Sequence, residues 1–287
     1  MDITTYNRCR ICIKETCGGT HNCHCSTCDK LDECPKILRA TIRITNKCTQ
    51  ECAHCCFRSS PKSKIMMTIE MAEKIAKFIK SNNIFGLNLM GGEFFCNPNW
   101  YEIFDLFFDA AEHIRVVSNS DWIHSEDVKS KLLLLHNKYG NKFYICLSKD
   151  KWHTNKYVDE AEEWLNSVGI ICRNGEGQMT DDSIVPVGRG EFHYGFYSFM
   201  GAYCLNPENE YTFLIDEEGK IYKCVFGTWK YATVDDYIDG GFEERFKDYQ
   251  QRCSKIFIAN CGSCRRCAES LSGTSEANGE EIVVKCE

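Results

Sequence analysis

The sequence has no excess of positive charge: 34 Lys and Arg stand against 41 Asp and Glu, a net charge of −7 with a pI near 5.7. That balance gives no general electrostatic reason to bind a polynucleotide or an anionic membrane. The first residues, Met1 to Arg8, lack the basic segment and apolar run of a secretory signal, and nothing approaches the ~18 uninterrupted apolar residues of a membrane span. A cytoplasmic protein with no membrane partner is expected. Internal repeats, low-complexity tracts and long blocks of like charge are also missing. With 287 residues and 43% hydrophobic content, the chain is long enough for one sizeable core, alone or with appendages.

Cysteine, by contrast, is abundant, at 21 residues. An oxidising compartment would explain this by disulfides and a reducing one by metal sites; the length and the missing signal favour metal. Seven cysteines lie in residues 1–38, three in a short loop (Cys48, Cys52, Cys55), seven after residue 200, and only Cys56, Cys96, Cys146 and Cys172 elsewhere. The expected organisation is a Cys-rich metal-binding segment over 1–38, an enzyme domain over 39–200 and an auxiliary metal-bearing domain over 201–287.

From residue 39 onward, short β-branched or apolar runs alternate with amphipathic stretches, the pattern of parallel βα units. Strands are expected at 40–45, 85–90, 114–118, 142–148, 169–173 and 184–187, with helices at 68–81, 100–112, 125–138 and 156–167. The connection 174–183 has no apolar periodicity and reads as loop. The fold class is therefore α/β, a partial (βα)6 TIM-like barrel whose chemistry gathers at the carboxyl ends of its strands.

Cys48, Cys52 and Cys55 stand at C-x3-C-x2-C spacing directly after the first strand. Iron–sulfur clusters normally take four cysteines, so three thiolates on one loop can hold three irons of a cubane and leave the fourth open to a substrate or cosubstrate. Gly91, Gly92 and Glu93 follow the second strand, Ser118 and Asn119 end the third, and Ser148 with Asp150 closes the fourth. On these residues the chain, over roughly 39–190, resembles the radical S-adenosylmethionine (radical SAM) enzymes. The resemblance implies a 4Fe–4S cluster on Cys48, Cys52 and Cys55 whose fourth iron chelates S-adenosylmethionine. It also implies that Gly91, Gly92 and Glu93 line the methionine end of that cosubstrate, with Ser118, Asn119 and Ser148 as further contacts. The residue before the last motif cysteine is commonly aromatic in the family and packs near the adenine; here it is His54.

Two further segments resemble peptide-modifying members of that family. Val187, Gly188, Arg189 and Gly190 are similar to a segment that follows the last barrel strand, the alternative being a turn with an exposed Arg. Ser148, Asp150 and His153 are similar to a Ser-x-Asp-x-x-His pattern that borders the substrate.

In the tail, Cys204 is followed by fourteen residues and then by the run from Gly219 to Cys224. Residues 211–215 and 220–224 alternate like strands joined by a turn at Asp216 to Gly219, which brings Cys224 back toward Cys204. With Cys261, Cys264 and Cys267 at C-x2-C-x2-C, this resembles the SPASM or twitch extension and implies an auxiliary 4Fe–4S cluster on Cys204, Cys224 and two or more of the later three. A second cluster using Cys253, Cys267 and Cys286 stays open. At the N-terminus, Cys9, Cys12, Cys25 and Cys28 form two C-x2-C pairs twelve residues apart, which fit either zinc or a further iron–sulfur cluster.

The implied activity is reductive cleavage of S-adenosylmethionine to a 5'-deoxyadenosyl radical that abstracts a substrate hydrogen. The expected partners are a peptide or small-molecule substrate and a reductant such as flavodoxin or ferredoxin. The run from Cys48 to Phe57, with its extra Cys56, resembles that of peptide-epimerising or related maturases, and the resemblance implies a ribosomally made peptide that is epimerised or crosslinked. An epimerase needs a hydrogen donor, for which Cys56, Cys96, Cys146 and Cys172 are the thiols not claimed by a cluster. Three other readings compete: a twitch-type radical dehydrogenase acting on a small alcohol or sugar, a radical enzyme acting on a nucleotide or other metabolite, and a non-catalytic metal-binding interaction protein.

Overall fold

A computed structural model describes residues 37–150, 152–154, 156–174, 189, 210–222 and 230–246. Five parallel strands, β1 (Ile37–Arg43), β2 (Gly86–Met90), β3 (His113–Ser118), β4 (Phe143–Leu147) and β5 (Cys172–Asn174), alternate with four helices. These are α1 (Ile69–Ser81), α2 (Trp100–Ala110), α3 (Glu126–Tyr139) and α4 (Val158–Ser167). Each helix has an identifiable cause. In α1, Ala72, Ile75 and Ile79 recur on one buried face, and the Thr68 hydroxyl accepts from the Met71 N–H as its cap. In α3, Ser125 does the same for Val128, and Glu126 and Asp127 place negative charge at the positive end of the helix.

The sheet runs β5-β4-β3-β2-β1-β6-β7-β8. The expected hairpin exists as β6 (Glu210–Ile215) and β7 (Lys220–Tyr222), paired antiparallel, with β8 (Lys230–Thr233) beside β7. Beyond the local hairpin, β6 lies parallel against the free edge of β1, with Ala40 opposite Phe213 and Ile42 opposite Ile215. Phe213, Phe242 and Phe246 thereby enter the same core as Phe78 of α1, with ring centroids between 4.7 and 6.3 Å apart.

The strand and helix expectations differ from the structure at their ends. The strand expected over 169–173 begins only at Cys172, because Gly169 takes φ +79° and the N–H groups of Gly169 and Ile170 bond back to Asn166 and Leu165, finishing α4. The strand expected over 184–187 lies outside the described residues. So do Cys9, Cys12, Cys25, Cys28, Cys204, Cys224, Cys253, Cys261, Cys264, Cys267 and Cys286.

Candidate active site at the carboxyl ends of the strands

Residues 44–66 form a loop that leaves β1 and returns to α1, closed by a bridge between Thr45 and Met66 and another between Lys47 and Ser60. Cys48 and Cys52 are buried in it and Cys55 is half-buried. The second expected segment packs directly on this loop: the Gly92 N–H donates to the Thr45 carbonyl at 2.7 Å and the Glu93 N–H to the Lys47 carbonyl at 2.9 Å. Only glycine allows that approach. A Cβ at Gly92 would stand 2.4 Å from the Lys47 oxygen and 2.8 Å from the Cβ of Cys48. The two motifs, separate in sequence, are thus one hydrogen-bonded unit.

Glu93 is 2% exposed, and its two oxygens accept from the Ser118 hydroxyl at 2.9 Å and the Asn119 N–H at 2.7 Å. The Ser118 oxygen in turn accepts from the Trp122 indole N–H at 2.9 Å. Burial pushes the Glu93 carboxyl up to about 7, against the Asn119 and Ser118 donors that favour its charged form. Asn119 also reaches the cysteine loop, donating from Nδ2 to the Thr49 hydroxyl at 2.8 Å. Ser148 is tied to the same strand end, its N–H donating to the Ser118 carbonyl at 2.8 Å. The structure therefore gathers Gly91, Gly92, Glu93, Ser118, Asn119 and Ser148 around the three thiols.

The surroundings of Cys48 and Cys52 disfavour a free thiolate. Burial pushes Cys48 up to about 12, Glu93 and the neighbouring cysteines add to this, and only the Gln50 N–H opposes it. Cys52 is raised by burial in the same way. Without a metal Cys48 and Cys52 stay protonated, and a metal bound there would displace the proton.

Two more residues complete the loop: Gln50, which the sequence did not single out, and Arg189, which lies in a segment that it did. Gln50 is 7% exposed: its N–H donates to the Cys48 sulfur at 3.4 Å, its carbonyl oxygen accepts from the Cys52 thiol at 3.3 Å and from the Thr154 N–H at 3.1 Å, and its amide nitrogen donates to Asp121. Arg189 is half-buried, in place of the exposed turn residue that was the alternative reading. Its backbone N–H donates to the Cys55 carbonyl at 2.9 Å and its Nε to the Cys52 carbonyl at 2.8 Å. The Nη2 of Arg189 is buried without a hydrogen-bond partner.

His54 packs edge-on against His153, with ring centroids 4.8 Å apart, and lies 6.3 Å from Trp152. Burial first, then the charges of His153 and Arg189, lower His54 to about 4, so it is a neutral ring at physiological pH. Asp150 fixes its neighbour: its carboxylate accepts from the Trp152 and His153 N–H groups and from His153 Nδ1 at 2.8 Å. Burial disfavours the Asp150 charge, but these donors hold its carboxyl down, to about 2.

The four unclaimed thiols differ in placement. Cys56 is half-buried within the cysteine loop. Cys96, in the single turn after Glu93, is pushed up to about 11 by burial and the Glu93 charge. Cys172 donates to the Asn166 side chain at 3.5 Å, toward α4. Cys146 lies on the opposite face of the sheet, where Arg115 Nη2 donates to its sulfur at 3.2 Å.

Three thiols one short of a full cluster set, a glycine-tight second segment and buried Arg189 Nη2 and His54 Nδ1 atoms without partners fit a cubane with an open iron. Fold and site together have the arrangement expected of a radical SAM domain. Residues 42–145 match the family model of the radical SAM superfamily, a superfamily of enzymes built around a 4Fe–4S cluster and S-adenosylmethionine.

The chain is similar to the antilisterial bacteriocin subtilosin biosynthesis protein AlbA of Bacillus subtilis (strain 168), 29% identical over 133 residues, which are 46% of this chain and 29% of AlbA. It is also similar to YydG of the same organism, named for peptide biosynthesis, 28% identical over 115 residues, 39% of this chain and 36% of YydG. The matched stretch thus spans about a third of these relatives or less. Among solved structures, anSMEcpe with bound AdoMet and the Cp18Cys peptide superposes with a TM-score of 0.52 at 16% identity, covering 84% of this chain and 92% of that one. BtrN in complex with AdoMet and 2-DOIA gives 0.53 at 10% identity, covering 80% and 92%. At such identities the likeness is one of fold. Among the described residues no helix is long and apolar enough to cross a membrane.

Proposed function

We propose that this protein is a radical SAM enzyme that modifies a ribosomally made peptide, by epimerisation or crosslinking, in the cytoplasm with a flavodoxin or ferredoxin as reductant. The observation that carries the reading is the packing of Gly92 and Glu93 onto the loop of Cys48, Cys52 and Cys55. The peptide part is supported by the two curated relatives, one named for biosynthesis of the bacteriocin subtilosin and the other for peptide biosynthesis. When bound, the cluster and S-adenosylmethionine supply a 5'-deoxyadenosyl radical able to take hydrogen from an unactivated carbon.

The chain's own residues have distinct tasks in this scheme. Cys48, Cys52 and Cys55 hold the cluster, while Arg189 and Gln50 fix the loop that carries them. Glu93, Ser118, Asn119 and Ser148 orient the methionyl and ribose groups, with Gly91 and Gly92 allowing close backbone approach. His54, kept neutral and braced by His153, offers a flat ring to the adenine side. For epimerisation, Cys146 is the best placed of the four thiols, because it lies on the sheet face away from the helices. It would give a hydrogen atom to the substrate carbon radical, and the resulting thiyl would take back an electron and a proton through the reductant. The tail cysteines, led by Cys204 and Cys224, are assigned to an auxiliary cluster, and Cys9, Cys12, Cys25 and Cys28 to a zinc or further iron–sulfur site.

The test is anaerobic reconstitution with iron and sulfide. The wild type should form 5'-deoxyadenosine with dithionite, and a Cys48→Ala, Cys52→Ala, Cys55→Ala variant should form none and lose the iron of one cubane. Incubation with the peptides encoded beside the gene then reads the outcome by mass. A product of unchanged mass in water that is one mass unit heavier when formed in deuterium oxide marks epimerisation, and a product lighter by two hydrogens marks crosslinking. A wild-type chain that binds iron yet yields no 5'-deoxyadenosine sinks the reading.

A further inference from the structure

The five parallel strands carry four arginines, Arg39, Arg43, Arg115 and Arg173, and no Asp or Glu, in a chain whose net charge is −7. All four sit on the sheet face turned away from the helices. This follows from the alternation along each strand, since Ala40, Ile42, Ile114, Val116, Phe143 and Ile145 belong to the helix-packed core and the arginines occupy the other parity. Arg43 is answered: Glu217, 4% exposed, accepts from its Nε at 2.9 and 3.0 Å and pairs with Nη2 at 2.9 Å.

Arg115 and Arg173 are not answered in this way. Arg115 spends Nη2 on the Cys146 sulfur at 3.2 Å, and its Nε is buried with no hydrogen-bond partner. Arg173 lies over the Tyr144 ring at 5.1 Å. Among the described residues neither makes an ion pair with a carboxylate. The register places Arg115 opposite Tyr144 and Cys146 opposite Arg173, so the two guanidinium groups flank one tyrosine and one thiol. Burial raises the Tyr144 hydroxyl, and the charges of Arg115, Arg173 and Arg39 pull it back, as expected if all three surround it. Arg115 and Arg173, gathered and partly desolvated with no carboxylate paired to them among the described residues, are unfavourable until an anion arrives.

We propose that Arg115 and Arg173, with the Tyr144 hydroxyl, form a subsite for a carboxylate of the substrate, which on the peptide reading above is an Asp or Glu side chain or the peptide's C-terminus. The guanidinium fork matches a carboxylate with two parallel N–H donors, which an ammonium does not. The depth is suitable too. Arg115 precedes Ser118 by three residues and Cys146 precedes Ser148 by two, so at about 3.3 Å per residue the subsite lies roughly 7–10 Å below the strand ends that ring the thiols. A side chain anchored there by its carboxylate, at the level of Cys146, directs its backbone toward the reacting end of the site. The subsite selects which residue of a peptide is presented.

Calorimetric titration of the reconstituted protein with three small probes tests this. N-acetylglutamate α-amide carries only a side-chain carboxylate, N-acetylglutamine only a terminal one, and N-acetylglutamine α-amide neither. One of the two acids should bind at least about tenfold more tightly than the neutral amide, and which one tells side chain from terminus. Arg115→Gln with Arg173→Met should abolish the preference, and Arg115→Lys should weaken it. Wild-type binding alone decides if the double variant does not fold. Equal binding of all three probes overturns the subsite and leaves the peptide reading untouched, because that stands on product formation. Arginine-dependent binding of inorganic phosphate, with none of either acid, overturns the carboxylate assignment.

Discussion

The two faces of one sheet obey opposite rules. On the helix side of β1 to β4, Ala40, Ile42, Leu87, Leu89, Ile114, Val116, Phe143, Ile145 and Leu147 are all 2% exposed or less and carry no polar side-chain atom. On the other side, the same strands present Arg39, Thr41, Arg43, Asn88, Arg115, Tyr144 and Cys146. Because strand side chains alternate, each residue type could be changed on one face without touching the other. The apolar face accounts for why the chain folds, and the polar face, with its rim of thiols and hydrogen-bonded side chains, accounts for what it can bind.

The largest effect expected from breaking this contrast lies on the apolar face. Phe213 is fully buried against Phe78, Phe242 and Phe246, so Phe213→Ala should cost about 3–5 kcal/mol in denaturant unfolding while leaving the cysteine loop chemically intact. A loss below about 1 kcal/mol would mean that β6 does not share the core. Next comes the rim. Burial raises the folded-state carboxyl of Glu93 from 4.5 to about 7, so its contribution is fully present below the ordinary carboxyl range and is lost as pH rises through about 7. Cofactor-free protein should therefore lose up to about 3 kcal/mol over that interval, and Glu93→Gln should flatten the profile. A profile identical to wild type would show that Glu93 ionises as a solvated acid.

Much of this contrast could be read from the amino-acid order. Apolar residues at helical spacing located α1 to α4 to within two residues at every end, and alternation located β1 to β4. The expected strand over 40–45 ends earlier in the structure, at Arg43, because Thr45 turns away to bridge Met66 across the loop. The cysteine loop and Gly91 to Glu93 were legible because their arrangement depends on spacing and on a missing Cβ, both local properties. The role of Gln50 was not, although it lies inside the motif, and for Arg189 the sequence marked the segment but not the contacts. Their roles depend on carbonyls, sulfurs and carboxylates brought from up to 137 positions away, as with Arg189 and Cys52. The attachment of β6 to β1 was hidden for the same reason: a hairpin is local, whereas the edge that it joins is set by non-local pairing.

Two smaller effects sharpen the distinction between charges that hold the fold and charges that wait for a ligand. Glu217→Ala removes the carboxylate from a pair in which Arg43 also lies 4.8 Å over the Phe57 ring, two residues beyond Cys55. The Arg43 side chain keeps 17% exposure, so water recovers part of the loss, and about 2–3 kcal/mol is expected. The same change should loosen the cysteine loop, read as faster iron loss to a chelator. Arg189→Met removes the hydrogen bond to the Cys52 carbonyl but keeps the backbone bond to Cys55. It should cost about 1–2 kcal/mol and should lower iron retention more than global stability; unchanged iron retention would assign Arg189 to the fold alone.

The smallest expected effect is the most discriminating. Arg173→Met keeps an unbranched side chain over Tyr144 and gives up a cation–ring contact worth about 0.5–1 kcal/mol, while relieving repulsion from Arg115. The two terms oppose each other, so stability should stay within about 1 kcal/mol of wild type, in contrast with Glu217→Ala on the same face. A destabilisation near that of Glu217→Ala would make Arg173 a structural cation, and the polar face would then be a second core built from charges. Near-neutrality in unfolding, combined with loss of preference for an acidic probe, would place its charge in service of a ligand.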